Sequence, residues 1–380
     1  MANDFLKKKL GSIVHAAEDA ASHVAGAVEH GVADVLDKFK RDKEVIVYPT
    51  YGYRKSGEEG TWVLRLRIWV SKARRLPISD EVFGIFASDM GRLSAQDVAR
   101  LRLRIKHFVA DDDSRETVQI KFDDDPDEQT YTLPGTTDFN GLLMQDLEIH
   151  DAKARKLLAA QGSSSGWLNF KAIAEGFEGK GRIRLVEPKG LSIISDIDDT
   201  IKITEVPAGN QIVLRNTFLH DYLPTADMAK KYKDFGDDVM FHYVSGSPWQ
   251  LYKLLGEFVG GIYPEGAFHM KDVRKNLLSA DSWHDFKNFA SGDMATFNQK
   301  VEQITRIMQN LPDRDFILIG DSGEQDPKVF SQMKELFSTR VREIIIRDVV
   351  DEEHTPESRL GGMTIIKAPK IVHGVTQFKD

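Results

Sequence analysis

The 380-residue chain has no cysteine. Disulfides, zinc–thiolate centres and thiol nucleophiles are therefore excluded, and a reducing compartment such as the cytoplasm is compatible. Long apolar runs are missing too: no stretch of about 18 apolar residues offers a membrane span. Lys7, Lys8 and Lys9 have no apolar segment behind them, so a secretory leader is not expected. Excess positive charge is also absent. With 51 Lys and Arg against 59 Asp and Glu the formal charge is −8, which argues against a nucleic-acid partner. The 13 prolines are scattered, so no proline-rich ligand for an SH3-type partner stands out. What remains, 41% apolar and 29% charged, is ordinary for a globular chain long enough for two or three cores.

Residues 5–40 read as one long amphipathic helix. Ile13, Val24 and Val35 recur every eleven residues, as do Ala17, Val28 and Phe39; eleven is close to three helical turns, so the stripe stays on one face. Such a helix either packs on protein, including a second copy, or lies on acidic lipid with its lysines at the headgroups. From Val45 to Val186 the period falls to two. Trp62, Leu64, Leu66, Ile68 and Val70 alternate with Val63, Arg65, Arg67 and Trp69, and Thr117 to Phe122 and Gly141 to Ile149 continue the pattern. Short strands separated by turns predict a β-sandwich-like domain over 42–188, after a helical segment over 1–41. Ser94 to Val109, with Arg100, Arg102, Arg104 and Lys106, fits either a helix or a strand with a basic outer face. Gly162 to Gly166 matches G-x-S-x-G, but a helix-like stretch precedes it and a strand-like one follows, so it reads as a loop rather than a nucleophile elbow.

Beyond Lys189 the pattern becomes strand, helix, strand, helix. Leu191 to Ser195, Val239 to Val244, Phe316 to Ile319 and Arg342 to Val349 are strand-like; Trp249 to Phe258 and Gln299 to Asn310 are helical. An α/β unit over 189–380 is expected, a parallel sheet with helices on both faces. Ligands bind such sheets at the carboxyl ends of the strands. Three ends carry polar groups: Asp196, Asp198, Asp199 and Thr200 after the first; Ser245, Gly246 and Ser247 after the second; Asp321 and Asp326 after the third. Carboxylates clustered at a buried strand tip repel one another unless a cation holds them, and oxygen ligands without His or Cys suit Mg²⁺. Ser245 with the N–H groups of Gly246 and Ser247, read as opening a helix, would cradle a phosphate. Between Thr200 and Val239, Pro207, Gly209, Leu214, Phe218, Leu219 and Tyr222 form either an apolar lip or core.

D-x-D-x-T after a buried strand, a serine after a second, a lysine, and G-D-x-x-x-x-D after a third resemble the motifs of haloacid-dehalogenase-type phosphatases. VEPKGLSIISDIDDTIKITEV, FHYVSGSPWQLY, FILIGDSGEQDPKVF and IIIRDV more closely resemble actin-patch-protein-type phosphatidate phosphatases, over about Lys189 to Val349. The resemblance implies a haloacid-dehalogenase-like catalytic domain that converts phosphatidate to diacylglycerol with Mg²⁺, at a membrane surface presenting phosphatidate or another anionic lipid, with cytoskeletal partners within its scope. It implies Asp196 as nucleophile and metal ligand, and Asp198 as acid and base that also lends its carbonyl to the metal. Asp321 and Asp326 would complete the metal group; Thr200, Ser245, Gly246 and Ser247 would meet the phosphate. Lys300, 21 residues before Asp321, is the expected catalytic lysine, with Lys271 as its rival. Family members commonly carry Asn where Gly246 stands. A location in the cytoplasm and on membrane surfaces goes with this reading; the alternatives are the same chemistry on soluble phosphomonoesters or phosphoproteins, and a membrane or cytoskeletal adaptor.

Overall fold

The computed structural model describes residues 43–72, 83–84, 87, 90–108, 111–112, 114–272, 294–355 and 358–368. The helix expected over 5–40 lies outside them.

The described chain forms two sheets. The first is mixed, with nine strands: β1 (Lys43–Val47), β2 (Thr50–Arg54), β3 (Thr61–Lys72), β4 (Asp111–Asp112), β5 (Thr117–Phe122), β6 (Thr130–Thr136), β7 (Leu142–His150), β8 (Trp167–Ala174) and β9 (Phe177–Leu185). Where two packed sheets were expected, hydrogen bonds link all nine strands. The twelve-residue β3 serves as the hub, pairing antiparallel with β1, β2, β4 and β7. Alternation drives this half: Val118, Ile120 and Phe122 of β5 are buried beside exposed Thr117, Gln119 and Lys121. They meet Leu64, Leu66 and Ile68 of β3 and Leu168 and Phe170 of β8 in one core. Gly162 to Gly166 is a turn between helix α2 (Asp151–Ala160) and β8, as its flanks predicted.

Ser94 to Val109 resolves as a helix, α1 (Ala95–Ile105), started by a Ser94–Asp97 capping box. Leu101 and Ile105 are its buried residues. Its arginines do not make an open basic face. Arg100 donates to the Leu219 carbonyl, and Arg104 to those of Thr217 and His220. These carbonyls lie at the carboxyl end of α3 (Asn210–Phe218), where cations complement the helix dipole.

The second sheet is wholly parallel. Its strands are β10 (Leu191–Ser195), β11 (Met240–Pro248), β12 (Gly266–Lys271), β13 (Asp315–Asp321), β14 (Val341–Asp348) and β15 (Thr364–Lys367), in the order β12-β11-β10-β13-β14-β15. Helices α4 (Ala226–Asp234), α5 (Tyr252–Ile262), α6 (Met294–Asn310) and α7 (Asp326–Leu336) alternate with the strands. Ser195 lies level with Tyr243 of β11 and with Ile319 of β13, so the ends of β10, β11 and β13 emerge together. Of the segment that was lip or core, Leu214, Phe218 and Leu219 are core, Tyr222 is half-buried against it, and Pro207 and Gly209 are exposed. No helix among the described residues is long and apolar enough to cross a membrane.

The two sheets are tied by side chains that reach across. Ile46, Tyr48 and Trp69 belong to the core of the parallel half, whereas Val45 and Val47 belong to that of the mixed half. Arg67 of β3 donates to the Met270 carbonyl at 3.1 Å and to Asp272 at 2.5 Å, and Tyr48 donates to the Trp249 carbonyl at 3.0 Å. Beneath Tyr51 the imidazoles of His242 and His269 lie 3.4 Å apart, nitrogen to nitrogen. Burial, helped by neighbouring positive charge, holds His242 well below its ordinary range and His269 down at about 3. The folded protein therefore refuses protons that the unfolded chain takes up near pH 6.5. The pair's own contribution to stability should be constant above that pH and fall progressively below it. Measured by urea unfolding at about pH 7.5 and about pH 5, His242→Gln should gain stability relative to wild type in acid.

Gly320 is where β13 passes closest to α7. A Cβ there would lie 2.3 Å from Asp326 Oδ2 and 2.7 Å from Phe330 Cε2. Both neighbours are buried, so neither can yield cheaply. Gly320→Ala should cost about 1–3 kcal/mol, measured by urea unfolding.

Candidate active site

Each of the three strand ends delivers a carboxylate or hydroxyl to one buried space. Asp196 leaves β10 with its N–H bonded to the Ile319 carbonyl, which fixes it against β13. The side chains of Asp196, Asp321 and Asp326 converge: one oxygen of each lies within 4.8 Å of the others. Asp326 sits at the start of α7 and accepts the Asp321 N–H at 3.3 Å; the Gly323 N–H donates to Asp321 Oδ1 at 2.6 Å.

Lys300, from α6, is the lysine brought to this group. Its Nζ lies 2.8 Å from Asp196 Oδ1, 2.6 Å from Asp326 Oδ1 and 3.0 Å from Glu324 Oε2. Lys271 instead donates to Thr296 Oγ1 at 3.0 Å. Burial works against the Lys300 charge, but Asp196, Asp326 and Glu324 outweigh it and hold the ammonium well above its ordinary range. Burial pushes the Asp196 and Asp321 carboxyls far up, and mutual repulsion with Asp326 and Glu324 adds to the push. Glu324 is raised to about 7 by burial, against the pull of Lys300. One ammonium thus faces four buried carboxyl groups. Asp196 Oδ2 and Asp321 Oδ2 are buried with no hydrogen-bond partner among the described residues. Orphaned carboxylate oxygens in an all-oxygen donor set fit a hard divalent cation.

Asp198 points to the other side of the space. Its Oδ1 accepts from Lys202 at 2.9 Å and Thr204 at 2.8 Å; its Oδ2 accepts from Ser247 at 3.0 Å and Ser245 at 3.3 Å. Burial alone would raise this carboxyl, but Lys202 and the hydroxyls of Thr204 and Ser247 hold it below its ordinary range. Asp199 does not join the cluster. With a φ of 54° it turns away and captures the N–H groups of Thr204, Glu205 and Val206 at 2.6–2.8 Å. The third acid of the motif thus closes the loop that carries the other two. Thr200 is fully buried, and its hydroxyl has no partner among the described residues.

The second strand end differs from expectation. Ser245, Gly246 and Ser247 belong to β11, a short 3₁₀ turn follows at Trp249–Leu251, and α5 begins only at Tyr252. Pro248 explains this, because the residue before a proline is steered away from helical backbone. The Ser247 N–H is bonded to Ser245 Oγ at 3.0 Å, so no helix terminus supplies the cradle. A Cβ at Gly246 would lie 2.9 Å from Thr296 Cγ2: the threonine fills the room that a larger residue would need.

Several members of the site carried no separate signal in the sequence. Lys202 and Thr204 lie just past the aspartate motif, in an ordinary-looking IKIT stretch. Glu324 lies inside the third motif. Arg347 donates to the Asp199 carbonyl at 2.9 Å. Arg359 braces the third loop through the carbonyls of Ser322 and Glu324.

Comparison with known proteins agrees with these motifs. Residues 191–348 match the family model of the phosphatidate phosphatase APP1 catalytic domain. Phosphatidate phosphatase APP1 of Saccharomyces cerevisiae is 34% identical over 222 residues, covering 57% of this chain and 35% of that protein. An uncharacterized protein of Schizosaccharomyces pombe is 31% identical over 183 residues, covering 45% of this chain and 27% of its own length. The chain thus spans about a third or less of the curated relatives it matches. The putative polysaccharide deacetylase BA0330 of Bacillus anthracis aligns at 10% identity over 80% of each chain, but a TM-score of 0.15 carries no structural argument. Residues 191–348 are thus similar to the catalytic domain of the APP1-type phosphatidate phosphatases.

Proposed function

We propose that the protein is a Mg²⁺-dependent phosphatidate phosphatase of the haloacid-dehalogenase type, acting on phosphatidate or a similar anionic lipid at a membrane surface in the cytoplasm. The observation that carries this reading is Asp196, buried with Oδ2 lacking a hydrogen-bond partner among the described residues, beside a lysine and two further carboxylates, a set that suits a cation and a phosphate. Asp196, Asp321 and Asp326 would hold Mg²⁺, with the Asp198 carbonyl as a further ligand. When bound, the ion supplies Lewis-acid charge that offsets the carboxylates and draws a phosphoryl oxygen inward.

The chain's own groups do the rest. Asp196 attacks phosphorus and becomes the aspartyl phosphate. Asp198 gives a proton to the departing ester oxygen, then takes one from the water that cleaves the intermediate. Lys300 steadies Asp196 and the transferring charge. Ser245, Ser247 and the unpartnered Thr200 hydroxyl take the remaining phosphoryl oxygens, and Gly246 leaves the approach open. Cytoskeletal partners belong to the same reading.

Phosphate release from phosphatidate in detergent micelles tests it. Wild type should be active with Mg²⁺ and inactive after chelation, and Asp196→Asn should fall to the level of the enzyme-free control. Release from soluble esters alone would move the substrate off the membrane; no release from either would overturn the proposal. Asp321→Asn removes a carboxyl that burial and its acidic neighbours push far up, so in neutral buffer it should raise the thermal midpoint of the metal-free protein by a few degrees, on the order of 1 kcal/mol. The same substitution should abolish most of the stabilisation that millimolar Mg²⁺ gives the wild type.

A further inference from the structure

The four donors to Asp198 divide by oxygen. Ser245 and Ser247, on Oδ2, belong to the phosphate cradle. Lys202 and Thr204, on Oδ1, do not. Lys202 is 1% exposed, so its ammonium is spent inside the protein. Its backbone is pinned by hydrogen bonds to Ile197 and Asp199 and by an isolated β-bridge to Pro224. The ammonium also lies 4.9 Å from the centre of the Tyr222 ring, a cation–π contact that limits its freedom. The Thr204 hydroxyl bonds both Lys202 Nζ and Asp198 Oδ1. A buried cation is costly unless a specific partner needs it, and here that partner is the acid–base carboxylate.

We propose that Lys202, with Thr204, is a positioning residue: together they anchor one oxygen of Asp198 so that the other, Oδ2, faces the substrate and carries the proton. The inference rests on the acid–base reading of Asp198. In the first step Oδ2 takes the proton carried by the monoanionic ester and passes it to the ester oxygen as its bond to phosphorus breaks, and Asp196 forms the new bond to phosphorus. In the second, a water oxygen bonds to phosphorus, the Asp196–phosphorus link breaks, and one water proton passes through Oδ2 to the departing phosphate. The cycle ends with free alcohol, phosphate and Asp198 ionised as it began. A phosphate entering the cradle draws Ser245 and Ser247 to its own oxygens and frees Oδ2, while Lys202 and Thr204 keep Oδ1 in place.

The test compares two esters whose leaving groups differ in their need for a proton. kcat/KM is measured on dioctanoyl phosphatidate, whose diacylglycerol leaving group needs a proton to avoid departing as an alkoxide, and on 4-nitrophenyl phosphate, whose phenolate leaves unaided. Lys202→Met should lower the first by about 100-fold and the second by less than about tenfold, because this parameter reports events up to departure of the leaving group. Thr204→Val should show the same bias at smaller amplitude. Lys202→Met placed on Asp198→Asn should add no further loss, and that uncharged pair carries the test if Lys202→Met alone does not fold. Equal losses on both esters, or losses that multiply in the double variant, would overturn the inference. A wild type that hydrolyses neither ester would overturn the acid–base reading and the inference with it.

Discussion

The structure depends on how an excess of buried negative charge is balanced. Asp196, Glu324 and Asp326 contact the ammonium of Lys300 and Asp321 lies against two of them; at most one of the four charges can be met by it. In a low-dielectric interior such a group must take up protons or bind a cation. Proteins do not bury four acids for stability alone, and every element nearby keeps them together. Gly320 has no side chain, so Asp326 can approach. Arg359 and Arg347 grip the loop carbonyls. Asp199 ties the first loop shut with three backbone N–H groups.

The sheet order does the rest. β10 lies between β11 and β13, and the chain passes to one side for β11 and β12 and to the other for β13, β14 and β15. A crevice at such a reversal is where α/β sheets place their ligands. Residues more than a hundred positions apart, such as Asp196 and Lys300, meet there at 2.8 Å. The mixed sheet contributes no member of the acidic cluster. Its part is to hold the edge: Arg67 grips the carbonyl of Met270 and the carboxylate of Asp272, on either side of Lys271.

Four strands of the parallel half were legible because they are short apolar runs that end in acid or serine; the edge strands β12 and β15, which end in Lys271 and Lys367, were not. Such a run ending in D-x-D or G-D has few other uses. Lys300 was legible from its distance to Asp321. Lys202 was not, because a lysine two residues after a motif looks like any surface lysine until its burial is seen. β1 was obscured for a different reason. Its two faces serve two cores, Val45 and Val47 on one side and Ile46 on the other, so its last three residues are all apolar and lack the alternation that marks a half-buried strand. Helical backbone does begin at Trp249, as a 3₁₀ turn that runs into α5, but Pro248 keeps Ser247 extended, so Gly246 and Ser247 stay in the strand. The arginines of α1 gave no sign that they cap α3, since pairing between distant elements leaves no periodic trace.

The central claim is that the orphaned oxygens of Asp196 and Asp321 share one divalent ion. The most direct measurement is the anomalous signal from a crystal of the protein soaked in Mn²⁺, a spectroscopically visible stand-in for Mg²⁺. A single strong peak between Asp196 Oδ2 and Asp321 Oδ2, with both within bonding distance, is the result this account requires. Well-ordered carboxylates with no peak between them, while Mn²⁺ occupies other sites in the same crystal, would contradict it.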